Sequence, residues 1–536
     1  MTFDYVIVGA GSAGCVLANR LSEDPAVRVA IIEAGPRDSN MAIHMPRGFP
    51  KIYQHPDLLW RYDAKVGGGS NRDEMWIRGR TLGGSSSVNG MVYVRGHPQD
   101  YDGWHDAGLT EWGWSQMLAA FRAIENHELG GDEMRGSGGP LDISVYSGRN
   151  ELAEAFIGAA EELGLPRRDD LNREARDGAG YYFRTIHRGS RNSAAKAFLK
   201  PIRNRSNLTV ITDLTIDRIL FDGHRAVAVA GQRDGEEAKI GGREIVLSAG
   251  VLNSPLLLQR SGVGPADLLR RHGIPIVADR REVGKNLRDH RGTIGIQLRV
   301  NRGSLNREFS GPRLIANVLR QQLLGKGPLA DAAFEAGAYF RTRPELDRPD
   351  GQLFMGAFSV DGTKSFTETV LERDHGMMIG GYILRPHSAG SIEISSQNAF
   401  KDPLIEANVL GDPRDHQPAI DALKFARRLT GTNALRRLGA KETAPAIDFA
   451  NDEEMLNYIR QTSQPGIHAT GTCRMGVDAD AVLDGRLRVK GVEGLRVVDC
   501  SAMPTQVSGN TNGPAMAFGY RAAELLLEDQ KAVLTG

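Results

Sequence analysis

The sequence predicts an α/β protein, α+β overall, with more than one domain. Three observations support this prediction. At 536 residues the chain exceeds the size at which a single hydrophobic core stops growing. Its first fifty residues follow the strand–helix–strand order that is typical of a parallel sheet. Apolar runs at 352–358, 377–384 and 391–395 are separated by turn residues, which indicates an antiparallel sheet elsewhere in the chain.

The composition is that of an ordinary globular protein. Lys plus Arg and Asp plus Glu number 66 each, so the formal net charge is zero. This balance favours neither a nucleic acid nor an anionic membrane as the main partner, although local patches stay open. The three cysteines, Cys15, Cys473 and Cys500, lack the spacing of a metal site or a disulfide framework. We therefore expect a reduced, cytoplasmic protein without a metal.

Neither a signal peptide nor a transmembrane segment is expected. The N-terminal MTFDYVIVGAG reads as a strand from the third or fourth residue, without a basic and then an apolar region before it. No apolar run is long enough to span a bilayer. Peripheral attachment to a membrane stays open.

The N-terminal stretch DYVIVGAGSAG, residues 4–14, predicts a strand, a glycine turn and a helix, and VRVAII at 27–32 predicts a second strand. This order is that of a Rossmann-like dinucleotide-binding unit. Gly9 permits the tight turn, Gly11 lets the backbone approach a pyrophosphate, and Gly14 lets the helix pack on the strand. The helix N-terminus offers free N–H groups to phosphates.

Glu33 ends the second strand, about 20 residues after the glycines, where a carboxylate accepts hydrogen bonds from a ribose. It would repel a 2′-phosphate, which argues against NADP. The motif does not distinguish NAD from FAD.

Two further segments have the composition of ligand-binding turns. Residues 79–96, GRTLGGSSSVNGMVYVRG, gather glycines and serines whose backbone can wrap around a ligand. A flexible linker is the alternative, but MVYV follows at once and indicates a buried strand or helix. In 248–264, SAGVLNSPLLLQRSGVG, we predict a helix with Ser254 as N-cap and Pro255 as its first residue, ending near Gly262.

The C-terminal stretch LRVVDCSAMPTQVSGNTNGPAMAFGYRA, residues 495–522, predicts a strand, a loop and a helix. The strand ends at Asp499, the loop contains Asn510 and Asn512, and Pro514 begins the helix. The helix N-terminus would face whatever the loop contacts.

Together these stretches resemble the glucose–methanol–choline (GMC) oxidoreductases, which are FAD enzymes. The resemblance covers nearly the whole chain and includes VGKNLRDH at 283–290 and HATGTCRMG at 468–476. Val251 departs from the small residue that is usual at its place. An NAD dehydrogenase that shares only the N-terminal motif is disfavoured by the C-terminal one.

The resemblance implies that FAD is the cofactor, and it implies a set of FAD contacts: Gly9, Gly11, Ser12, Ala13, Gly14, Glu33, Ser85, Asn89, Gly90, Val92, Ile216 and Asp499. Some members attach FAD covalently to a histidine at the place that Val88 occupies here. A valine cannot form that bond, so we predict non-covalent FAD.

The resemblance also implies that His468 and Asn510 are catalytic. In the family, His468 would abstract the alcohol proton while hydride passes to flavin N5, and Asn510 would bind the hydroxyl. An imidazole has an ordinary pKa of about 6.5, which suits a base near neutral pH. On its own, GIHATGTCRMG would indicate only a hydrogen-bonded core histidine.

The resulting hypothesis is an FAD-dependent oxidation of a primary or secondary alcohol to an aldehyde or ketone. O2, a quinone or another carrier would reoxidise the flavin. A neutral or aromatic alcohol is favoured, but the sequence names no alcohol and no oligomeric state. Two alternatives within the family stay open, a non-redox hydroxynitrile lyase and a light-driven decarboxylase.

We predict a discontinuous FAD-binding domain from 1–38, 78–98, 205–292 and 478–536, and a substrate-binding domain from 39–77, 99–204 and 293–477.

Several residues receive weaker predictions. We interpret Asp289 and His290 as structural, and Cys473 as core filler. Phe354, Met355, Met377 and Met378 are pocket candidates, of which half should be ordinary core. Glu335 is either an isolated carboxylate near the site or a salt-bridged structural residue, and 301–330 is either a surface segment or a lid.

Overall fold

The computed structural model describes residues 2–146, 148–173, 176–361 and 370–535 of the chain. The predicted substrate-binding domain includes 362–369, which lie outside this part. Two apolar cores stand out, one around a mostly parallel sheet and one around an antiparallel sheet. The α/β class, α+β overall, predicted from the sequence is confirmed.

The first sheet has seven strands in the described chain. From edge to edge they are Leu208–Ile211, Val29–Ile32, Thr2–Val8, Glu236–Leu247, Arg225–Arg233 and Thr215–Asp222, and Leu495–Val497 also pairs with Glu236–Leu247. The pairings around Thr2–Val8 are parallel. Val6, Ile7 and Ile31 are buried because a parallel sheet is covered on both faces.

The predicted segments 1–38, 205–292 and 478–536 supply all the strands of this sheet. The division of the whole chain into two domains stays a prediction.

Among the residues that the structure describes, the second sheet has six strands, and all their pairings are antiparallel. Their order is Lys441–Ala444, Ile294–Arg299, Gly376–Ile383, Gly351–Gly356, Ala336–Phe340 and Gly178–Tyr181. Helix Glu151–Glu162 packs on this core, and the Asn150 side chain caps it by accepting from the N–H groups of Leu152 and Ala153.

The remaining strands form smaller sheets. A four-stranded sheet contains Ser391–Glu393, Leu404–Glu406, Leu59–Gly67 and Ser70–Gly79. Two-stranded pairs are Ile186–His187 with Ser190–Arg191, Val263–Gly264 with Ala278–Asp279, Arg291–Gly292 with Gln464–Pro465, Val92–Tyr93 with Phe183–Arg184, and Glu125–His127 with Leu141–Ile143.

In the described part of the chain the α-helices are Ser12–Leu21, Met41–His44, Phe49–Ile52, Pro98–Asp106, Trp114–Ile124, Glu151–Glu162, Gly250–Arg260, Ala266–Arg271, Gly311–Leu324, His416–Thr430, Asn433–Arg436, Asp452–Thr462 and Asn512–Thr535. Helix Ser12–Leu21 packs against Asn512–Thr535, so the two ends of the chain meet beside the first sheet. Within the described residues, no helix has the length and apolarity needed to cross a bilayer.

The helix after the strand at 236–247 begins earlier than predicted. It runs from Gly250 to Arg260, so Pro255 lies inside it and Ser254 is not its N-cap. The hydroxyl of Ser254 instead donates to Asp499 Oδ2 (2.6 Å), which also accepts from Gly250 N–H (2.9 Å). A carboxylate from a distant segment therefore sets the start of this helix.

Candidate active site

A cavity of about 1010 Å³ extends from the glycine turn of the first sheet to the antiparallel sheet. One end lies at the carboxyl ends of two parallel strands, where Val8, Gly9, Ile32 and Glu33 line it. Crevices at this place are the usual ligand sites of open α/β sheets. The volume is at the upper end of the range for small-molecule sites.

Nearly all of the predicted cofactor residues line this cavity: Gly9, Gly11, Ser12, Ala13, Glu33, Ser85, Asn89, Gly90, Val92, Ile216 and Asp499. Gly14 is absent from the lining. A Cβ at Gly14 would lie 2.0 Å from the carbonyl oxygen of Gly9, so this glycine permits close packing of the helix on the turn.

The glycine turn fits a phosphate-bearing group. Gly9 has a φ of +105°, and a Cβ there would lie 2.3 Å from Ser248 O. No side chain in the described chain caps helix Ser12–Leu21, so its first N–H groups remain available at the cavity. Ser12 Oγ donates to Asn512 Oδ1 (2.8 Å), which joins the N-termini of the two helices.

Glu33 is a buried carboxylate at the end of its strand. It accepts hydrogen bonds from Ala10 N–H (3.1 Å) and Gly35 N–H (3.0 Å). Burial raises the pKa of Glu33 to about 7, because the charged form loses its water. Hydroxyl donors of a ribose would replace part of that hydration.

At the other end of the cavity, His468 and Asn510 lie together. Asn510 Nδ2 is 2.9 Å from His468 Nε2, and both residues line the cavity. The predicted pair therefore meets in space, although 42 residues separate its members.

A second histidine, His290, lies within hydrogen-bonding distance of His468. Nδ1 of the fully buried His290 lies 3.3 Å from His468 Nδ1, and its Nε2 lies 2.9 Å from the carbonyl oxygen of Leu384. Burial lowers the pKa of His290 to about 4, so the ring is neutral. Since a carbonyl only accepts, the single ring hydrogen of His290 is on Nε2.

This arrangement assigns the tautomer of His468. Nδ1 of His290 is an acceptor, so Nδ1 of His468 carries the hydrogen and donates it to His290. The lone pair of His468 is then on Nε2, beside the Asn510 amide. Burial, followed by the neighbouring His290 and Arg78, lowers the pKa of His468 well below its usual value.

Asp289 holds the backbone that carries His468. Its carboxylate accepts from the N–H groups of Ile467 (3.1 Å) and His468 (2.7 Å). Ile467 has a φ of +62°, which is rare for a β-branched residue and is held by these contacts. Gln506 adds a third anchor by donating from Nε2 to His468 O (2.9 Å).

Sequence reasoning missed the place of His290 and Asp289 at the site. We interpreted both as structural, and the structure places them in direct contact with His468, His290 at its ring and Asp289 at its backbone. Their occurrence in VGKNLRDH was the only signal in the sequence.

Arg78 is another lining residue that was not predicted. Its Nη2 is buried without a hydrogen-bond partner among the described residues. Burial lowers the pKa of this guanidinium, and Asp289 opposes the effect. A buried donor facing a cavity indicates a polar ligand atom nearby, which fits a bound cofactor.

An aromatic wall continues from the histidine. The ring of Tyr382 is 5.6 Å from that of His468 and 6.2 Å from that of Phe354. Phe334 follows at 4.6 Å from Phe354, and Phe358 at 6.5 Å from Phe334. All of these residues line the cavity.

The four predicted pocket residues divide by strand alternation. Phe354 and Met378 line the cavity, whereas Met355 and Met377 are buried in the core of the antiparallel sheet. Glu335 is buried and forms an ion pair with Arg47, so it is the salt-bridged residue of the two alternatives. The buried Cys473 packs in the core of the first sheet.

The family model for GMC oxidoreductases matches residues 3–291 in its N-terminal part and 386–519 in its C-terminal part. The chain is 38% identical to an alcohol dehydrogenase (acceptor) of Pseudomonas putida, over 98% of this chain and 96% of that protein. It is 37% identical to the mitochondrial choline dehydrogenase of Homo sapiens, over 98% of this chain and 89% of that protein.

Among solved structures, pyridoxine 4-oxidase from Mesorbium loti superposes with a TM-score of 0.89 and 33% identity. The match covers 98% of this chain and 99% of that one.

Proposed function

The chain belongs to the GMC oxidoreductase family, and from this premise we propose that it oxidises an alcohol to its aldehyde or ketone with His468 as the base. As a member it is a flavin-dependent oxidoreductase that acts on CH–OH donors, and its cofactor is FAD. The base, the substrate class and the mode of FAD attachment are proposals.

The observation that carries the proposal is the lone pair of His468 on Nε2. His290 fixes it from one side, and Asn510 Nδ2 lies 2.9 Å away on the other. Without substrate, Asn510 Nδ2 donates to this lone pair. An alcohol oxygen that replaces this hydrogen bond would accept from Asn510 and donate its proton to His468. A positioned base of this kind contributes about 10² to 10⁴ in rate.

The lowered pKa keeps His468 unprotonated, and it also makes the imidazole a weaker base than the ordinary pKa of about 6.5 would. A histidine that is neutral at pH 7 is ready to accept a proton, whereas a protonated one is not. Asn510 presents Nδ2 to His468, and its Oδ1 accepts from Gln352 Nε2 (3.3 Å), which fixes the orientation of the amide. We infer that Asn510 orients the hydroxyl and leaves the proton to His468.

FAD would be held at the glycine turn, by Glu33 and by the Ser85–Val92 turn, with Asp499 near the flavin. When bound, it accepts the hydride from the alcohol carbon. Val88 lines the cavity at the place of the covalent histidine of some members, so we propose non-covalent attachment.

For the substrate we propose an alcohol with an apolar or aromatic body. The part of the cavity wall that extends away from His468 consists of the rings of Phe334, Phe354 and Phe358. Burial of a hydrocarbon group against these rings is energetically favourable. The related alcohol and choline dehydrogenases and the oxidase neighbour leave both O2 and another carrier as the final acceptor.

The proposal is tested by anaerobic absorbance spectra of the purified protein while alcohols are added. The panel contains aliphatic, benzylic, furanic, choline-like and sugar alcohols. Loss of the oxidised flavin band at about 450 nm shows that the alcohol reduces the flavin. We expect benzylic or long aliphatic alcohols to act fastest, and readmitted air then distinguishes an oxidase from a dehydrogenase.

His468→Ala is the matching variant. This variant should keep its FAD, and its rate of flavin reduction by the alcohol should fall by a factor of about 10² to 10⁴. His224→Ala, at an exposed turn, is the control and should behave as the unmodified protein. An unchanged rate in His468→Ala would remove His468 from the mechanism. Cyanide release without bleaching would instead indicate the lyase, and a dependence on light the decarboxylase.

A further inference from the structure

The helix Gly311–Leu324 has its amphipathic character reversed. Ile315, Leu319 and Leu323 lie one above another on one face and are 65%, 55% and 78% exposed. The buried residues of this helix are polar, Asn317 and Gln321. In most surface helices the apolar face is buried and the polar face is exposed.

The inward face is held by hydrogen bonds. Asn317 Nδ2 donates to the backbone carbonyl and to the carboxylate of Glu308, at 3.0 Å each. Gln321 Nε2 donates to Gly189 O (3.0 Å). These contacts fix the rotation of the helix about its axis, so the apolar face cannot turn inward while they persist.

The charged residues of the helix and its connections, residues 309–330, are all basic. The stretch 309–330 contains Arg313, Arg320 and Lys326 and no Asp or Glu. All three basic side chains are exposed, and Arg313 lies 3.6 Å from the carboxylate of Glu308, just outside the stretch. An exposed apolar face with basic flanks is complementary to a surface that is apolar inside and negatively charged outside.

We infer that this helix lies flat on an anionic phospholipid surface, with Ile315, Leu319 and Leu323 among the acyl chains and the basic residues at the headgroups. Its 14 residues span about 21 Å, less than the roughly 30 Å of a hydrocarbon core, so it lies on the membrane and does not cross it. Large exposed apolar patches on globular proteins mark such contact sites.

The helix is close to the cavity along the chain. Its connection passes Pro328 and reaches Phe334 in the cavity wall, and Arg47 joins the two by donating to Pro328 O (2.8 Å) and pairing with Glu335. Docking would therefore hold the substrate end of the cavity near the lipid surface. A second copy of this chain is the competing occupant, but two copies would bring like charges together.

The test is vesicle flotation of the full-length, FAD-loaded protein without alcohol, so its result is independent of the proposed oxidation. We expect binding to vesicles of phosphatidylcholine with phosphatidylglycerol, and little binding to phosphatidylcholine alone. Leu319→Ser/Leu323→Ser should lower binding at least about tenfold. Arg313→Gln/Arg320→Gln should lower it roughly tenfold, as should high salt.

The control is Leu129→Ser/Val477→Ser, which removes two residues that are 52% and 67% exposed elsewhere on the surface. It should bind as the unmodified protein does. Equal loss in this control, or no binding to anionic vesicles, would overturn the inference. So would a dimer in lipid-free buffer that Leu319→Ser/Leu323→Ser abolishes in light scattering, because the face would then belong to a second copy.

Discussion

At the scale of single residues, the tautomer of His468 depends on atoms from three separate segments. Leu384 O accepts from His290, and His290 in turn accepts from His468. Asp289, next to His290, holds the His468 backbone. Together these contacts fix the tautomer, the rotation and the position of the His468 ring. Preorganisation of this kind lets a base act without rearrangement.

A consequence for pH follows from the lowered pKa of His468. A base must be unprotonated, so activity is lost as pH falls through the pKa of the group. Because that pKa lies well below 6.5, we expect kcat/KM to be nearly constant between about pH 7 and 6 and to fall only in more acidic solution. An acidic limb with its midpoint at pH 6.5 or above in the pH–rate profile would contradict the assignment of His468 as the base.

His290 is expected to act as a positioning residue. His290→Phe keeps a ring that can stack on Tyr382, now 4.6 Å away, but removes the acceptor for His468 Nδ1. We expect kcat to fall roughly tenfold, the value of one lost hydrogen bond, with FAD content unchanged. The acidic limb of the pH profile should also move, because His290 contributes to the pKa of His468.

The matched control is His127→Gln. His127 is also a buried histidine with a pKa lowered to about 4 by burial, but it packs on Phe183 outside the cavity. It should leave kcat and the pH profile unchanged. Equal effects of the two substitutions would mean that His290 contributes to stability alone.

At the scale of elements, the turn between strand Thr2–Val8 and helix Ser12–Leu21 depends on its glycines for two different reasons. Gly9 needs a positive φ and has a backbone carbonyl against it. Gly14 has an ordinary φ, but the helix could not approach the turn with a Cβ there. The motif is therefore a packing requirement as well as a ligand site.

Gly9→Ala should destabilise the fold and abolish FAD retention. The added Cβ would lie 2.3 Å from Ser248 O, in addition to the cost of a positive φ, about 1–2 kcal/mol. Gly223→Ala is the control, since Gly223 has a φ of +56° and open space around its Cβ position. Thermal unfolding and the flavin-to-protein absorbance ratio measure the difference. Equal destabilisation would show that φ alone matters at Gly9.

At the scale of the whole molecule, the cavity lies between elements of both large sheets. Its lining combines the glycine turn of the first sheet with Phe354 and Met378 of the second. A ligand that fills it contacts residues from both ends of the chain. Binding to the folded state alone must then stabilise the whole arrangement.

Non-covalent FAD predicts two linked results. Acid precipitation should leave the protein colourless and all FAD in the supernatant, because Val88 offers no nucleophile. Free FAD at about 100 times its Kd should then stabilise refolded or apo protein by about 2.7 kcal/mol, seen as a higher unfolding temperature. A yellow precipitate would show a covalent link through another residue.

Sequence patterns were sufficient for the features that depend on local physics. Apolar runs predicted the strands Thr2–Val8 and Val29–Ile32 of the first sheet and Gly351–Gly356 and Gly376–Ile383 of the second, and the glycine spacing predicted the dinucleotide turn. The run 391–395 is also a strand, but it belongs to the four-stranded sheet. The resemblance to the family predicted that His468 and Asn510 belong to one catalytic site. These features depend on residues that are close in sequence or on motifs that related chains share, so they can be predicted from the sequence alone.

The tertiary structure alone decided the rest. Helix Gly250–Arg260 begins where a distant carboxylate, Asp499, accepts from Gly250, and no local signal predicts that contact. His290 became a partner of His468 because two segments 178 residues apart meet in space. The outward apolar face at Leu319 follows from inward hydrogen bonds of Asn317 and Gln321. Sequence determines periodicity and local turns, whereas burial, tautomer and exposure depend on neighbours that only the folded chain supplies.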